Sequence, residues 1–511
     1  LTGQTSVHAR QAAAADWAQR QMLCGRLGNS AGSASGSSAI KPETRTKSRS
    51  ADSKTPRSGE KTLAPLLLHF DVNKTVIQSD SIQMKTIEEG VREGISELFW
   101  GYMRKDKDKM VWQWTKSNPS CNPPKDLALT CMDGAQLVTY SEYCKKVVKD
   151  KADRKEAVKF FKLVSEQEVR DEMEKLMHVT VNKMQLPTDI KRSRKALDAG
   201  LRGSTLMMFP AIFHFVAVLQ RSKRTFGILF RSFGADHDKI KYEWNAFCEM
   251  RHPVFSSLIQ GLGPMDGSLA GVPDRRIHGI HTLYRDATGP ILLVDTFTNG
   301  PQDDPWDAWA RQKPKPKGDS RAGREFIKNV LKADTVQGIP NIQKWMKAHL
   351  LKQATGAIKD DWAWWQWNEE NPNCAKLLTL IGGKEETKQL FFDDNIEHND
   401  ARIVDCRDSH GNPVPLENSM NKLITKVNPV EALLDDEYFL RKLQRCHGEH
   451  LDVGASLLEF QRQLTELEEQ KESYAKQVQA LNMQLRNLTE ENRRMKLMRR
   501  IHVRDEAQLR D

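Results

Sequence analysis

Acidic and hydroxyl side chains follow three apolar segments of the sequence, at the point where each segment ends. Asp71 comes directly after the first segment, Ser232 follows the second, and Asp393 and Asp394 follow the third. In a parallel α/β sheet the carboxyl ends of the strands face the ligand crevice, so we expect these side chains to share one edge. Three strand ends that carry such side chains in this order predict a functional site at that edge.

The elements that must position these residues follow an alternating pattern. From Leu63 onward, apolar segments of roughly 4–8 residues alternate with amphipathic helices, as in an α/β sheet with crossover helices. Residues 63–70, 225–230 and 389–392 are predicted to be buried strands, and 81–219 to be mostly helical. We therefore expect an α/β fold with a Rossmann-like parallel sheet.

Local patterns predict three further features. Residues 277–284 and 290–294 flank a turn at 285–289 and predict a β-hairpin. The Pro-, Lys- and Asp-rich segment 300–321 is predicted to be an exposed loop. Asn428 and Pro429 are predicted to begin a helix that continues to Leu443, since Pro is favoured at the first helical position.

The strand ends, taken in order, resemble the motifs of the haloacid dehalogenase-like (HAD) superfamily. The first motif of that family is a strand ending in Asp-x-Asp-x-Thr or a variant, and the second is a strand ending in Ser or Thr. Its third motif is a Lys, and its fourth is a strand ending in one or two acids. Asp71 and Thr75 match the first motif, Ser232 the second, and Asp393 with Asp394 the fourth.

The resemblance covers about 63–450 and implies a mostly helical inserted cap at about 82–205. Two residues are candidates for the motif lysine. Lys376 lies 17 residues before Asp393, and Lys384 lies nine before it. We prefer Lys376, because nine residues leave little room for a crossover helix.

The resemblance implies the following chemistry. Asp71 would attack phosphorus and form an aspartyl-phosphate. Mg²⁺ would bind the Asp71 carboxylate, the backbone carbonyl of Asn73, and Asp393 or Asp394. The side chain of Ser232 would hold a phosphate oxygen, and the motif lysine would balance the clustered negative charge. A magnesium-dependent phosphohydrolase or phosphotransferase is implied, acting on a phosphorylated small molecule or protein.

Asn73 departs from the pattern of most phosphatases in this family, which carry a second Asp that protonates the leaving alcohol. An amide does not exchange a proton near pH 7, so acid–base help of about 10²–10⁴-fold is missing. The substrate could have a good leaving group such as an acyl phosphate, or the chain could resemble a non-phosphatase branch. The site could also bind without turnover, or His69 or Asp80 could supply the proton. The alternative function is a catalytically impaired HAD-like binding or scaffold protein.

After Gly454 the sequence becomes a heptad pattern that predicts a coiled coil over 455–500. Ten of twelve a and d residues are apolar, and the exceptions, Lys471 and Asn492, both occupy a positions, where polar residues fix register. We expect a homodimer through 457–495; a heteromeric partner, or packing on the chain's own body, are the alternatives. The a and d residues are Leu457, Phe460, Leu464, Leu467, Lys471, Tyr474, Val478, Leu481, Leu485, Leu488, Asn492 and Met495.

The net charge of +10, from 78 Lys and Arg against 68 Asp and Glu, is unevenly distributed. Residues 1–62 hold 10 basic against 4 acidic residues, whereas 63–452 hold 57 against 54. The body therefore offers no basic groove for nucleic acid. The Ser-, Ala- and Gly-rich segment 1–62 is predicted to be a disordered basic tail or a transit-like segment.

Cysteine usage and hydropathy bear on the compartment. Eight cysteines without a C-x-x-C pair do not suit a disulfide scaffold or a zinc ribbon, and they fit a reducing compartment. We expect a cytoplasmic protein, or an organellar one if the first 62 residues act as a transit peptide. The apolar run 206–219 is too short to cross a bilayer and contains Pro210 and His214, so no membrane span is predicted.

Overall fold

The structure, a computed structural model, covers most of the region predicted to fold. It describes residues 63–78, 87–131, 134–298, 321–381, 387–397, 400–449, 451, 473–474, 476–496 and 498–499. Several predictions fall outside these residues. They are the tail 1–62, nearly all of the loop 300–321, Asp80, Lys384, and the heptad positions from Leu457 to Lys471.

The described residues contain thirteen strands and thirteen α-helices. The strands are β1 (Leu66–Asp71), β2 (Trp100–Asp106), β3 (Lys109–Trp114), β4 (Gln136–Thr139), β5 (Phe226–Ser232), β6 (His281–Asp286), β7 (Gly289–Leu293), β8 (Thr335–Gln337), β9 (Thr355–Asp360), β10 (Lys376–Thr379), β11 (Lys388–Asp393), β12 (Val404–Arg407) and β13 (Ile424–Lys426). The helices are α1 (Ile87–Ser96), α2 (Tyr140–Val147), α3 (Lys151–Lys159), α4 (Gln167–Lys183), α5 (Arg194–Asp198), α6 (Pro210–Arg221), α7 (His237–Cys248), α8 (Arg321–Phe326), α9 (Ile339–Gln353), α10 (Trp362–Trp367), α11 (Leu416–Ser419), α12 (Pro429–Leu434) and α13 (Tyr438–His447). The terminal residues 473–474, 476–496 and 498–499 are also helical.

Eight strands form one central sheet in the order β13-β11-β1-β5-β9-β6-β7-β8. The strands from β13 to β6 pair in parallel, and β7 and β8 extend the sheet with antiparallel pairs. The protein is therefore a mixed α/β fold with a mostly parallel sheet. Because β1 lies between β11 and β5, the carboxyl ends of these three strands are adjacent. Phe70 pairs with Phe392 on one side, and Asp71 pairs with Arg231 on the other.

Both faces of the sheet are buried. This explains why the sequence of β1 is an almost uninterrupted run of apolar residues. Leu66, Leu68 and Phe70 point into the larger core, whereas Leu67 packs in a second core on the opposite face. The Phe70 ring stacks on Phe392, with 4.6 Å between centroids. Neighbouring side chains point to opposite faces of a strand, so the direction of each β1 side chain follows from this packing.

The segment between β1 and α6 differs from the mostly helical cap predicted at 82–205. Alongside α1 to α5 it contains a three-stranded antiparallel sheet in the order β3-β2-β4. Of the β3 residues only Trp112 is fully buried, and β2 is exposed from Arg104 onward. The polar–apolar alternation that marks a strand is therefore short, and the charged residues around the hairpin turn resemble a solvated helix face.

Two local predictions have different outcomes. The predicted hairpin is confirmed by β6 and β7, which pair from Thr282–Leu293 to Asp286–Gly289. The helix predicted to continue from Asn428 to Leu443 is wrong, because α12 ends at Leu434 and α13 begins at Tyr438. None of the helices in the described part of the chain is long and apolar enough to cross a bilayer.

Candidate functional site

The carboxyl end of β1 runs directly into a tight turn. Asp71 is the last residue of the strand, and the amide of Ile77 donates to the Val72 carbonyl at 3.0 Å. Lys74 adopts a left-handed conformation with φ of 57°, which reverses the chain within this turn. The polar residues that follow Asp71 are therefore held beside the edge of the sheet.

Three carboxylates meet at this edge. Oxygen atoms of Asp71, Asp393 and Asp394 all lie within 4.8 Å of one another. Asp71 and Asp393 are buried, whereas Asp394 is partly exposed. The Lys376 ammonium donates to Asp71 Oδ1 and, at 2.8 Å, to Asp393 Oδ2. One buried cation thus bridges two buried carboxylates that come from neighbouring strands.

Lys376 reaches the cluster from outside the central sheet. It begins β10, which pairs only with β12 in a separate two-stranded parallel sheet among the described residues. Its ammonium lies 5.1 Å from the centroid of the Phe233 ring, and that ring stacks on Trp365 at 5.3 Å. The preferred lysine therefore lies at the carboxylates, while Lys384 lies outside the described residues.

The other predicted site residues lie at the same edge. Ser232 ends β5 and is fully buried, and its hydroxyl accepts a hydrogen bond from the Gly234 amide at 2.9 Å. Asn73 Nδ2 donates to Asp236 Oδ2 at 2.8 Å. Asn73 Oδ1 and the Thr75 hydroxyl are buried and have no hydrogen-bond partner within the described parts of the chain. Both oxygen atoms can therefore accept a hydrogen bond from a group bound at this edge.

Asp236 is a site residue that the sequence prediction missed. It is fully buried and binds the Lys239 ammonium at 2.8 Å as well as the Asn73 amide. It comes four residues after Ser232, in the connection between β5 and α7. A polar residue just beyond a strand end is the signal that could have identified it.

A buried ion pair beneath the carboxylates joins four strands. Arg231 of β5 is fully buried and binds the Asp360 carboxylate through two nitrogen atoms. Its guanidinium also donates to the Leu377 carbonyl at 3.1 Å and contacts His69 Nδ1 at 3.2 Å. Because Leu377 directly follows Lys376, this pair anchors β10 where its lysine meets Asp71.

His69 does not have the properties of the missing proton donor. Its ring stacks on Phe391 at 5.4 Å and lies on the opposite face of β1 from the Phe70 ring. Burial, followed by the charge of Arg231, holds the pKa of His69 well below its ordinary value. The imidazole is therefore neutral near pH 7 and has no excess proton to donate.

The pKa values of the clustered groups depend on burial and on their neighbours' charges. Burial raises the pKa of Asp71 well above its ordinary value, against the lowering effect of Lys376, and Asp393 raises it further. Desolvation also raises the pKa of Asp394 to about 7. Burial acts to lower the pKa of Lys376, but the charges of Asp393 and Asp71 outweigh it and raise that pKa overall. Lys74 and Lys376 both act to lower the pKa of Asp394, yet the pKa values of Asp71 and Asp394 stay raised, so the cluster has the donor set and the charge to suit a hard divalent cation.

No family model matches the chain, and comparisons with curated proteins and with solved structures find no match. The likeness to HAD motifs therefore depends on the order of the strand ends and on their convergence at Asp71, Lys376 and Asp393.

The raised pKa of Asp394 predicts a defined pH dependence of stability. Between pH 3.8 and about 7 the folded chain retains a proton that the unfolded chain has released. The free energy of unfolding therefore falls as pH rises through this interval, by at most about 1.4 kcal/mol per pH unit for this one group. We expect Asp394→Asn to flatten this slope, as measured by urea denaturation in EDTA from pH 4 to 8.

The exposed Asp126 offers a matched control, because Asp126→Asn makes the same chemical change outside the cluster. The free energy of unfolding of Asp126→Asn should change with pH in the same way as that of the unmodified chain. An Asp394→Asn profile parallel to that of the unmodified chain would contradict the raised pKa.

Proposed function

We propose that this chain is a magnesium-dependent, HAD-like phosphohydrolase or phosphotransferase that acts through an aspartyl-phosphate on Asp71. The observation that carries the proposal is the Lys376 ammonium shared between Asp71 and Asp393, with Asp394 beside them. Phosphoryl transfer requires a nucleophile, a fixed positive charge and acidic ligands for a metal ion. In this proposal Asp71, Lys376, Asp393 and Asp394 supply these groups at one edge of the sheet.

Each residue has a distinct role in this proposal. An Asp71 carboxylate oxygen attacks phosphorus, the bond to the leaving oxygen breaks, and water later hydrolyses the acyl phosphate. Lys376 lowers the pKa of Asp71 against the effect of burial and orients its carboxylate, and the Ser232 hydroxyl donates to a phosphate oxygen. Asp71, Asp393, Asp394 and the Asn73 backbone carbonyl would hold Mg²⁺, which neutralises charge on the transferring group when bound.

Asn73 narrows the substrate class. Its amide donates to Asp236, so the side chain is oriented by a buried carboxylate and has no proton to give a leaving alcohol. Substrates whose leaving group needs no protonation, such as acyl phosphates, suit this site better than alkyl phosphate esters. The segment between β1 and α6 takes the position of the inserted cap that would select among them.

A specific observation favours the second candidate, a scaffold that dimerises through a coiled coil. The described part of the terminal helix exposes apolar side chains at heptad spacing, and an exposed stripe of this kind favours a partner helix. The exposed fractions are Tyr474 66%, Val478 56%, Leu481 63%, Leu485 64%, Leu488 63% and Met495 53%.

Replacing the proposed nucleophile tests the enzyme directly. We expect the unmodified chain with Mg²⁺ to release phosphate from acetyl phosphate faster than from glycerol 2-phosphate, an alkyl ester whose leaving alcohol must be protonated. Asp71→Asn should lose at least about 10³-fold in rate, because an amide cannot form the intermediate. Asp126→Asn is the matched control and should retain full activity. Equal rates for Asp71→Asn and the unmodified chain on every substrate would exclude this mechanism.

Exchanging the Asn73–Asp236 pair tests the missing proton donor. Asn73→Asp alone places two carboxylates next to one another. When Asn73→Asp is combined with Asp236→Asn, the hydrogen bond is kept, but the amide at position 236 now donates to the carboxylate at position 73. We expect the double variant to hydrolyse alkyl phosphate esters at least about 10²-fold faster than the unmodified chain, which is the lower end of the range for general acid catalysis. Acetyl phosphate turnover should change little. No gain on esters, with acetyl phosphate activity intact, would contradict the assigned role of position 73.

Truncation tests the coiled coil. A chain ending at Gly454 lacks the heptads, so we expect it to sediment as a monomer where the full chain sediments as a dimer. Leu481→Glu with Leu485→Glu in the full chain should have the same effect, while Met483→Glu, also exposed but outside the a and d positions, should leave the dimer intact. The same oligomeric state for all these chains would exclude the intermolecular coil.

A further inference from the structure

A cavity of about 890 Å³ lies at the opposite end of β1 and β5 from the carboxylates. Leu66 and Leu67 line it at the amino end of β1, and Phe226 and Gly227 line it at the amino end of β5. Leu66 and Asp71 are five residues apart along β1, so at about 3.3 Å per residue the amino end of the strand and the carboxylates are some 16 Å apart. The cavity is therefore a separate feature from the proposed active site.

The charged residues of this cavity have one sign. Among the described residues that line it, five are basic and none is acidic; the basic residues are Arg221, Lys223, Arg224, Arg275 and Lys347. Glu449 offsets Arg224, because its oxygen atoms accept from that guanidinium at 3.1 and 3.0 Å. Lys223 and Lys347 are exposed at the rim. The excess of positive charge favours an anionic occupant.

Arg275 is the deepest of these cations. It is 2% exposed, and its guanidinium lies 3.5 Å from the centroid of the Phe226 ring. It donates to two neutral oxygens, Gln220 Oε1 at 3.3 Å and the Phe226 carbonyl at 3.1 Å, and no carboxylate pairs with it in the described structure. Burial lowers the pKa of Arg275 to about 10, so it is still charged at pH 7. A buried charge without a counter-charge is costly and is normally compensated.

Apart from Gln220, Thr225 and Thr387, the rest of the lining is apolar or glycine. Leu262 and Val272 contribute from the connection between α7 and β6, and Ala354 and Ile381 contribute from the other side. Ligand sites typically combine apolar walls with a few placed polar groups in volumes of about 300–1,000 Å³. This cavity has the size and the composition of such a site.

We infer that the cavity binds a small organic anion, with its acidic head at Arg275 and its apolar body against Leu262, Val272 and the Phe226 ring. The anion supplies the counter-charge that Arg275 lacks, and Lys223 and Lys347 attract it at the rim. This site is independent of the phosphoryl-transfer proposal, because it shares no residue with the carboxylate cluster.

Two fluorescent probes with almost the same apolar body separate charge from hydrophobicity. 8-Anilinonaphthalene-1-sulfonate carries one negative charge, whereas N-phenyl-1-naphthylamine has the same rings and none. We expect saturable binding of the sulfonate to the full chain, at least tenfold tighter than binding of the neutral amine. Equal affinities, or no saturable binding of the sulfonate, would overturn the inference.

Reversing the charge of two lysines at the rim tests whether the sulfonate binds in this cavity. Lys223→Glu with Lys347→Glu changes two exposed residues, and we expect about fivefold to tenfold weaker sulfonate binding, since exposed charges contribute modestly to affinity. Lys105→Glu with Lys125→Glu makes the same change in net charge at exposed residues outside the cavity and should have no effect. An equal loss in both double variants, or no loss in either, would contradict the assigned site.

Arg275→Met tests the deep contact, with circular dichroism to check that the variant folds. We expect sulfonate binding to weaken at least tenfold while binding of the neutral amine is retained. Unchanged sulfonate binding by the folded variant would overturn the role of Arg275. If the variant does not fold, the rim variants still decide whether the cavity binds the anion.

Discussion

The Lys376 ammonium between the Asp71 and Asp393 carboxylates is the interaction on which the candidate site depends. β1 and β11 are adjacent parallel strands, so their terminal carboxylates must approach one another at the same edge. Two buried like charges at this distance are strongly unfavourable, and each would raise the other's pKa. A cation inserted between them offsets this repulsion and acts to lower the pKa of Asp71.

The position of that cation is determined by a second buried charge pair. β10 does not pair with the central sheet, so ladder hydrogen bonds from the sheet do not hold it in place. Arg231 provides this support, because it donates to the Leu377 carbonyl while its own charge is balanced by Asp360. Removing either partner of such a pair leaves an uncompensated buried charge, at a cost of about 3–5 kcal/mol. The buried Arg231–Asp360 pair beneath the site therefore stabilises the fold and also holds β10 in position.

The two ends of β1 and β5 have opposite electrostatic character. Asp71, Asp393 and Asp394 concentrate negative charge at the carboxyl edge, and Arg275 contributes to positive charge at the amino edge. The strands between them are buried along their whole length, so solvent does not separate the two ends within the sheet. The two ligands that we propose, a divalent cation at one edge and an organic anion at the other, are accordingly of opposite sign.

The sequence by itself determined the features that depend on local patterns. The continuous apolar runs of β1, β5 and β11 identified buried parallel strands, and the polar residues at their ends identified the edge where Asp71, Ser232 and Asp393 lie. The three-stranded sheet β2 to β4 was missed, because strands with one exposed face and a charged hairpin turn have a weak local pattern. The break between α12 and α13 was missed because no Gly or Pro marks it.

Only the tertiary structure decided which distant side chains meet. Lys376 lies 305 residues from Asp71, and Arg231 lies 129 residues from Asp360. These contacts arise from strand order in the sheet and from the packing of β10 against it, and neither leaves a local periodicity in the sequence. The same holds for Arg275, whose burial without a carboxylate follows from the packing around the cavity. Residue types and spacing specify the elements, whereas the burial and charge balance of each side chain depend on how those elements pack.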